Sequence, residues 1–409
     1  MICAFNPQSI DEFPSQRVNQ PQTNAILPPL ALYVHWPFCV SKCPYCDFNS
    51  HVRDSVDIDR WREALLADMA HEASLTSGRP LGSIFFGGGT PSLMPPALVS
   101  DLLDAAQRHW GFTPDIEITL EANPNSVEVD RFADLARAGV NRVSLGVQSL
   151  ESEALHFLGR AHDAGEARRA IEVARHHFGR VSFDLIYALP GQSAAQWERQ
   201  LGEALAFGTD HLSLYQLTIE PGTRFETLVR QGKFIPADAD HAADLYDITQ
   251  SLAGAAGLPA YETSNHARIG QESRHNLTYW RYGDYAGIGP GAHGRRGDAG
   301  GVPVATQRHR KPENWLEAIA RNQHGLQGET PLSPEDRGRE ALLMGLRLGE
   351  GVNLAAISRR TGLEENRLID AVAIARLAGH GLVSRAGGRL RVTAEGALLL
   401  DAILGEIVL

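Results

Sequence analysis

Cysteine, lysine and long apolar runs are all scarce in this chain of 409 residues. Four cysteines are too few for a disulfide framework, which excludes the small stapled secreted class. No apolar stretch approaches the roughly 18 residues a membrane-crossing helix needs. The first residues, MICAFNPQSIDEFPSQ, lack a basic segment followed by an apolar one, so no secretory signal is expected and a cytoplasmic location is the default. The lysines are Lys42, Lys233 and Lys311, and arginine supplies the rest of the 38 basic residues against 49 acidic ones. A net charge of −11 provides no basic field for nucleic acid or for an anionic membrane surface. What is present is ordinary globular material, 43% hydrophobic and 21% charged, enough for a large core and against general disorder.

Short β-rich runs alternate with amphipathic stretches from residue 30 onward, which predicts an α/β fold with a parallel sheet. Strands are expected at 31–36, 83–88, 116–122, 142–148, 181–187 and 211–217. Helices are expected at 59–73, 96–110, 164–177, 193–206 and 238–256. Six βα repeats suggest an open, partial barrel, with chemistry at the C-terminal ends of the strands. Residues 1–29 read as a flexible leader, 30–256 as the barrel and 257–329 as a linking and capping region. A Gly- and Arg-rich stretch at about 281–312 is expected to be irregular. From 330 to 409, short helices precede two β-rich pieces around Gly387-Gly388, which resembles a winged helix. Residues 331–409 hold ten Arg and ten Asp or Glu. A DNA-reading winged helix is usually basic, so protein-contact or lid roles fit better.

The central feature is HWPFCVSKCPYCDFNSH, residues 35–51. Cys39, Cys43 and Cys46 follow the first strand as Cys-x3-Cys-x2-Cys. Thiolates are the usual ligands of iron–sulfur clusters, normally four to a cluster, so a set of three leaves one iron open. The competing reading is a zinc site completed by Cys3 and by His35 or His51.

Other polar signatures fall at strand ends. FFGGGTPS places Gly87, Gly88, Gly89 and Thr90 after the second strand, where glycines permit close approach of the backbone to a ligand, or form a plain tight turn. Glu121 in TLEANP, Gln148 in SLGVQS and Asp184 in SFDLIYALPG end or occupy later strands, and Arg160 lies in FLGRAHD. A buried Asp184 needs a partner, and a structural hydrogen bond or ion pair is the plain alternative.

The cysteine spacing followed by GGGTP resembles the radical S-adenosylmethionine (SAM) superfamily. That resemblance implies a partial (βα)6 barrel and a [4Fe–4S] cluster on Cys39, Cys43 and Cys46. It also implies SAM chelating the open iron and cleaved to a 5′-deoxyadenosyl radical. YVHWPFCVSKCPYCDF, GGGTPS, EANP, GVQS, LGRAH, DLIYALPGQ and the C-terminal module resemble the oxygen-independent coproporphyrinogen III oxidase-like family from about residue 30 to the end. By motif position, Tyr33, Gly88, Gly89, Thr90, Glu121, Gln148, Arg160 and Asp184 correspond to its SAM-contacting positions. Tyr45, inside the cysteine loop, is counted among the cofactor-binding residues.

Two features part this chain from the oxidases. Phe48 stands where they carry a fourth Cys. HNLTYW, residues 275–280, resembles the His-Asn-x-x-Tyr-Trp signature of the HemW-type haem chaperones. That group implies haem binding and transfer to haem-requiring acceptors, among them membrane respiratory enzymes. His275 is the candidate haem ligand, with stabilisation of a capping loop as its alternative. Arg295, Arg296, Arg308, His309, Arg310 and Lys311 either meet porphyrin propionates or form a solvated basic loop. Two other functions remain open: a working coproporphyrinogen III oxidase, and a DNA-binding regulator that rests on the winged-helix resemblance alone.

Overall fold

A computed structural model describes residues 28–409. Cys3 and nearly all of the stretch read as a leader lie outside the described residues.

Six strands form the parallel heart of the fold: β1 (Leu30–Trp36), β2 (Leu81–Gly88), β3 (Phe112–Ala122), β4 (Arg142–Gln148), β5 (Arg180–Tyr187) and β6 (His211–Gln216). Each pairs in parallel with the next. β1 is buried along almost its whole length, as the continuous apolar run LALYVHW requires of a strand covered on both faces. Helices cross between the strands. α1 (Ile58–Leu75) starts on the Asp57 cap and buries Trp61, Leu65, Met69 and Ala73. α2 (Pro96–Trp110) opens on proline, whose missing N–H costs nothing there. α3 (Ala164–His177) and α4 (Ala194–Ala206) each begin with a capping box, Asp163 with Glu166 and Ser193 with Gln196.

The barrel does not close, because β1 and β6 do not pair. β6 takes the short antiparallel strand β7 (Asn265–Ala267). β1 takes β8 (Tyr285–Ile288) in parallel, and β9 (His293–Gly297), β10 (Pro303–Arg308) and β11 (Leu326–Pro331) continue antiparallel. The stretch at 281–312 is therefore sheet, not an irregular loop, and the region 257–329 read as a linker carries five strands of the main sheet. The cause lies in its charges. Arg296 and Arg308, which read as exposed, are buried against Asp68 and Glu72 of α1.

The C-terminal module has its own core, including Leu342, Leu354, Ile374 and Leu390. It contains α5 (Pro334–Gly345), β12 (Val352–Asn353), α6 (Leu354–Thr361), α7 (Ala371–Gly379), the hairpin β13 (Val383–Ala386) and β14 (Arg389–Val392), and a last helix, Leu400–Ile407. The Gly387-Gly388 turn has positive φ at both positions, as a two-residue hairpin turn of this twist demands. Helices followed by a β-ribbon give the winged-helix arrangement. Among the described residues no helix is long and apolar enough to cross a membrane.

Candidate functional site

The cysteine loop leaves β1 at Trp36 and returns through His51–Val52, which pairs with Phe38–Cys39. It is fastened to the end of β2: Gly89 N–H donates to the Trp36 carbonyl at 2.7 Å and Thr90 N–H to that of Phe38 at 2.8 Å. A Cβ on Gly89 would stand 2.7 Å from the Phe38 carbonyl oxygen, and one on Gly88, at φ +117, would strike the His35 ring. The glycines thus admit the loop's own backbone and the His35 ring. His35 Nε2 donates to the Asn49 carbonyl at 2.9 Å and its Nδ1 accepts from the Tyr33 hydroxyl at 3.0 Å, so both its nitrogens are engaged within the fold.

Cys39, Cys43 and Cys46 all border one cavity of 510 Å³ at the C-terminal ends of the strands. Burial pushes the thiols of Cys39 and Cys46 above their ordinary range, so a metal is needed to hold them as thiolates at neutral pH. Three thiols and, among the described residues, no fourth cysteine on the cavity match the donor set of a cluster with one iron left open.

The strand-end residues gather on the same cavity: Gly88, Gly89, Thr90, Glu121, Gln148, Arg160 and Asp184, with Tyr45 from the loop. Arg160 Nη1 donates to Cys43 Sγ at 3.3 Å and to the Tyr45 hydroxyl at 3.4 Å. Its Nη2 donates to Asn123 Oδ1 at 2.5 Å and to the Gly146 carbonyl at 2.8 Å. Thr90 Oγ1 donates to Cys39 Sγ at 3.4 Å. Gln148 holds φ +69, a strained conformation for a non-glycine residue of the kind that collects at binding sites. Tyr33 stands just beneath, against Gly87.

Glu121 and Asp184 dominate the electrostatics. Glu121 accepts one bond, from Gly88 N–H at 3.2 Å, and Asp184 accepts from Ser144 Oγ at 3.2 Å. Among the described residues neither has a cation within ion-pair distance. Burial, then the neighbouring Asp184, raises Glu121 to about 8, and burial raises Asp184 to about 6. Arg160 and Lys42 also line the cavity, but neither pairs with the two desolvated carboxyls, which are suited to a cationic ligand.

His275 lies elsewhere. The helix Arg274–Trp280 packs on Ser83 and Phe85 of β2, and His275 is not among the residues that line the cysteine cavity. His275 is 1% exposed. Its Nδ1 faces Ser83 Oγ at 3.1 Å, its Nε2 faces the Tyr279 hydroxyl at 2.6 Å, and its ring stacks on Phe85. Burial lowers its pKa to about 3, so it is a neutral imidazole with both nitrogens used, the geometry of the capping alternative. The basic group is likewise dispersed: Arg295 pairs with Glu340, Arg296 with Glu72 and Glu329, and Arg308 with Asp68 and Glu72.

Two contributors escape a reading by motif. Asn123 bridges Arg160 to Thr90 and is visible in EANP only as the residue after the alanine. Glu128, 1% exposed, fixes that turn by accepting from Asn123 N–H at 2.7 Å and from Ser92. Nothing in its polar surroundings signals burial.

Comparison with known proteins agrees with this geometry. The radical SAM superfamily model matches residues 33–201, and the HemN C-terminal domain model matches residues 332–399. A protein named heme chaperone HemW from Escherichia coli K12 is 39% identical over 385 residues, covering 92% of this chain and 98% of that protein. The mitochondrial radical S-adenosyl methionine domain-containing protein 1 of Bos taurus is 42% identical over 326 residues, covering 79% of this chain and 74% of that protein. The solved structure of coproporphyrinogen III oxidase (HemN) from Escherichia coli superposes with a TM-score of 0.77 at 24% identity, covering 94% and 91% of the two chains. It shares the fold.

Proposed function

The chain belongs to the HemW-type radical SAM proteins, and on that premise we propose that it is a haem chaperone that carries a SAM-binding iron–sulfur site. Cys39, Cys43 and Cys46 hold a [4Fe–4S] cluster. When bound, the cluster supplies one iron open to the amino and carboxylate groups of SAM. Glu121 and Asp184 meet the cationic part of SAM, whose charge supplies what the two carboxyls lack. Arg160 braces Cys43 and Tyr45, while Gly88, Gly89 and Thr90 seat the loop against β2. Haem is the cargo, passed to haem-requiring acceptors, with membrane respiratory enzymes as the class of recipient, in the cytoplasm.

The observation that carries the cofactor half is the convergence of three thiols and two cation-free carboxyls on one cavity. The haem half is supported by the relatives named heme chaperone, matched along most of their length. Phe48, 62% exposed at the cavity rim, supplies no fourth thiolate.

The test is anaerobic. The cluster-reconstituted protein is given SAM, a reductant and coproporphyrinogen III, then separately titrated with haem. Haem binding and transfer to an apo-acceptor, without protoporphyrinogen formation, is the expected result. Protoporphyrinogen formation would make the chain an oxidase.

A further inference from the structure

A second cavity lies far from the cysteine loop, between the HNLTYW helix and the C-terminal module. It measures 360 Å³. Its floor is apolar, with Ala341, Val352 and Ile357 all buried. Its charged lining consists of Arg281, Arg337, Arg360 and Arg389 against the single carboxylate of Glu350. In a chain of net charge −11, four guanidiniums facing one acid is a concentrated local excess of positive charge.

The arginines are not all spent on one another's partners. Glu350 takes Arg281 through both oxygens, at 3.0 and 3.2 Å, and Arg389 at 3.5 Å. Arg360 donates to Asp284 at 3.1 Å and stacks over Tyr282. Arg337 donates to the Arg360 carbonyl at 2.9 Å, and among the described residues no carboxylate lies within ion-pair distance of it. Trp280, the last residue of the motif, borders the same cavity with a buried indole N–H that has no partner among the described residues. A buried donor without an acceptor is uncommon and calls for an explanation.

We propose that this cleft is an anion-accepting site that holds the carboxylate edge of a flat apolar ligand, namely the propionate side of haem. The inference rests on the haem-chaperone reading and gives it a location. Arginine forks match carboxylates in two-point contacts, and the apolar floor covers the adjoining edge of the macrocycle. The cavity lies near the small end of ligand sites, which run from about 300 to 1,000 Å³. It therefore grips one edge and leaves most of the ring outside, where an acceptor can reach it. His275, buried with both nitrogens engaged, has no part in this site; Trp280 and the arginines do.

The test compares haem with its dimethyl ester, in which both propionates are neutral, on the cluster-reconstituted full chain. Wild type is expected to bind the ester at least about ten-fold more weakly than haem, as loss of charge-assisted hydrogen bonds requires. Arg337→Gln should erase most of that discrimination, whereas Arg339→Gln, exposed on the same helix outside the cleft, should retain it. Glu350→Gln should move the opposite way and bind haem more tightly, an outcome that a damaged fold would not produce. Cluster absorbance checks that each variant is intact. Equal affinity of wild type for acid and ester, or full discrimination in Arg337→Gln, overturns the location while leaving the haem reading in place. Failure of wild type to bind haem at all overturns both.

Discussion

The molecule desolvates two pairs of carboxylates and treats them in opposite ways. Asp68 and Glu72 of α1 are fully enclosed and surrounded by donors. Arg308, the Trp315 indole and the backbone N–H groups of Gly289 and Gly325 all donate to Asp68, while Arg296 and Arg308 clamp Glu72. Burial pushes the Glu72 carboxyl up, but the two arginines more than reverse this and hold it below the usual range. Glu121 and Asp184 line the cavity and are only half-buried; the bonds they accept come from neutral donors, and desolvation drives them up to about 8 and about 6. A buried charge is tolerable when paired and costly when not. The first pair is complete and joins α1 to the antiparallel extension of the sheet. The second has no ion-pair partner among the described residues, and the proposed SAM would supply one.

This contrast is broken most strongly from the structural side. Asp68→Ala leaves Arg308 with an uncompensated buried charge and should destabilise the fold by about 3–5 kcal/mol, read from the shift in denaturant midpoint. A loss below about 1 kcal/mol would mean that the cluster is not a latch.

From the other side, Glu121→Gln should stabilise the cluster-free protein. The folded state keeps a proton on Glu121 that the unfolded chain releases near its ordinary pKa of 4.5. Wild-type stability therefore falls as pH rises from about 4.5 to about 8, and it is undiminished by this group below that window. Glutamine cannot ionise, so the variant should match wild type near pH 4.5 and exceed it by up to about 4 kcal/mol near pH 8. Thermal melts at the two pH values measure this. The same variant should lose SAM affinity by at least about ten-fold. A variant that is less stable than wild type at both pH values would place Glu121 with Asp68, among the structural acids.

Much of this was legible beforehand, and the reasons differ by region. Several of the six parallel strands are near-continuous apolar runs because both faces are covered, and a run of that kind is readable without neighbours. The cysteine loop is readable because few other chemistries need three thiols within eight residues. The extension from β8 to β11 was not legible. Its strands are short, Gly-rich and Arg-bearing, and burial of Arg296 and Arg308 depends on acids more than 200 residues earlier. Asp68 and Glu72 did leave a trace, as two acids on the buried face that also carries Leu65, Met69 and Ala73. His275 taught the converse: HNLTYW marks a subgroup, but its histidine is a hydrogen-bonded cap residue in the barrel.

Smaller effects sharpen the contrast within the cavity. Gly89→Ala drives a methyl group into the Phe38 carbonyl and should cost about 1–3 kcal/mol, with lower iron content after reconstitution because the loop is displaced. Unchanged iron loading would show that the loop is not held by this contact. Phe48→Ser, at an exposed rim position, should change stability by no more than about 0.5 kcal/mol and leave iron content as in wild type, as checked by melting and iron analysis.

The most direct measurement is the electron paramagnetic resonance spectrum of the reduced, reconstituted protein with and without SAM, taken for wild type, Glu121→Gln and the three Cys→Ala variants. The account expects a cluster signal in wild type that changes on adding SAM and the same starting signal in Glu121→Gln that stays unmoved at that SAM concentration. It expects no such signal in Cys39→Ala, Cys43→Ala or Cys46→Ala. A wild-type signal indifferent to SAM, or a cluster that survives loss of any of the three cysteines, would contradict it.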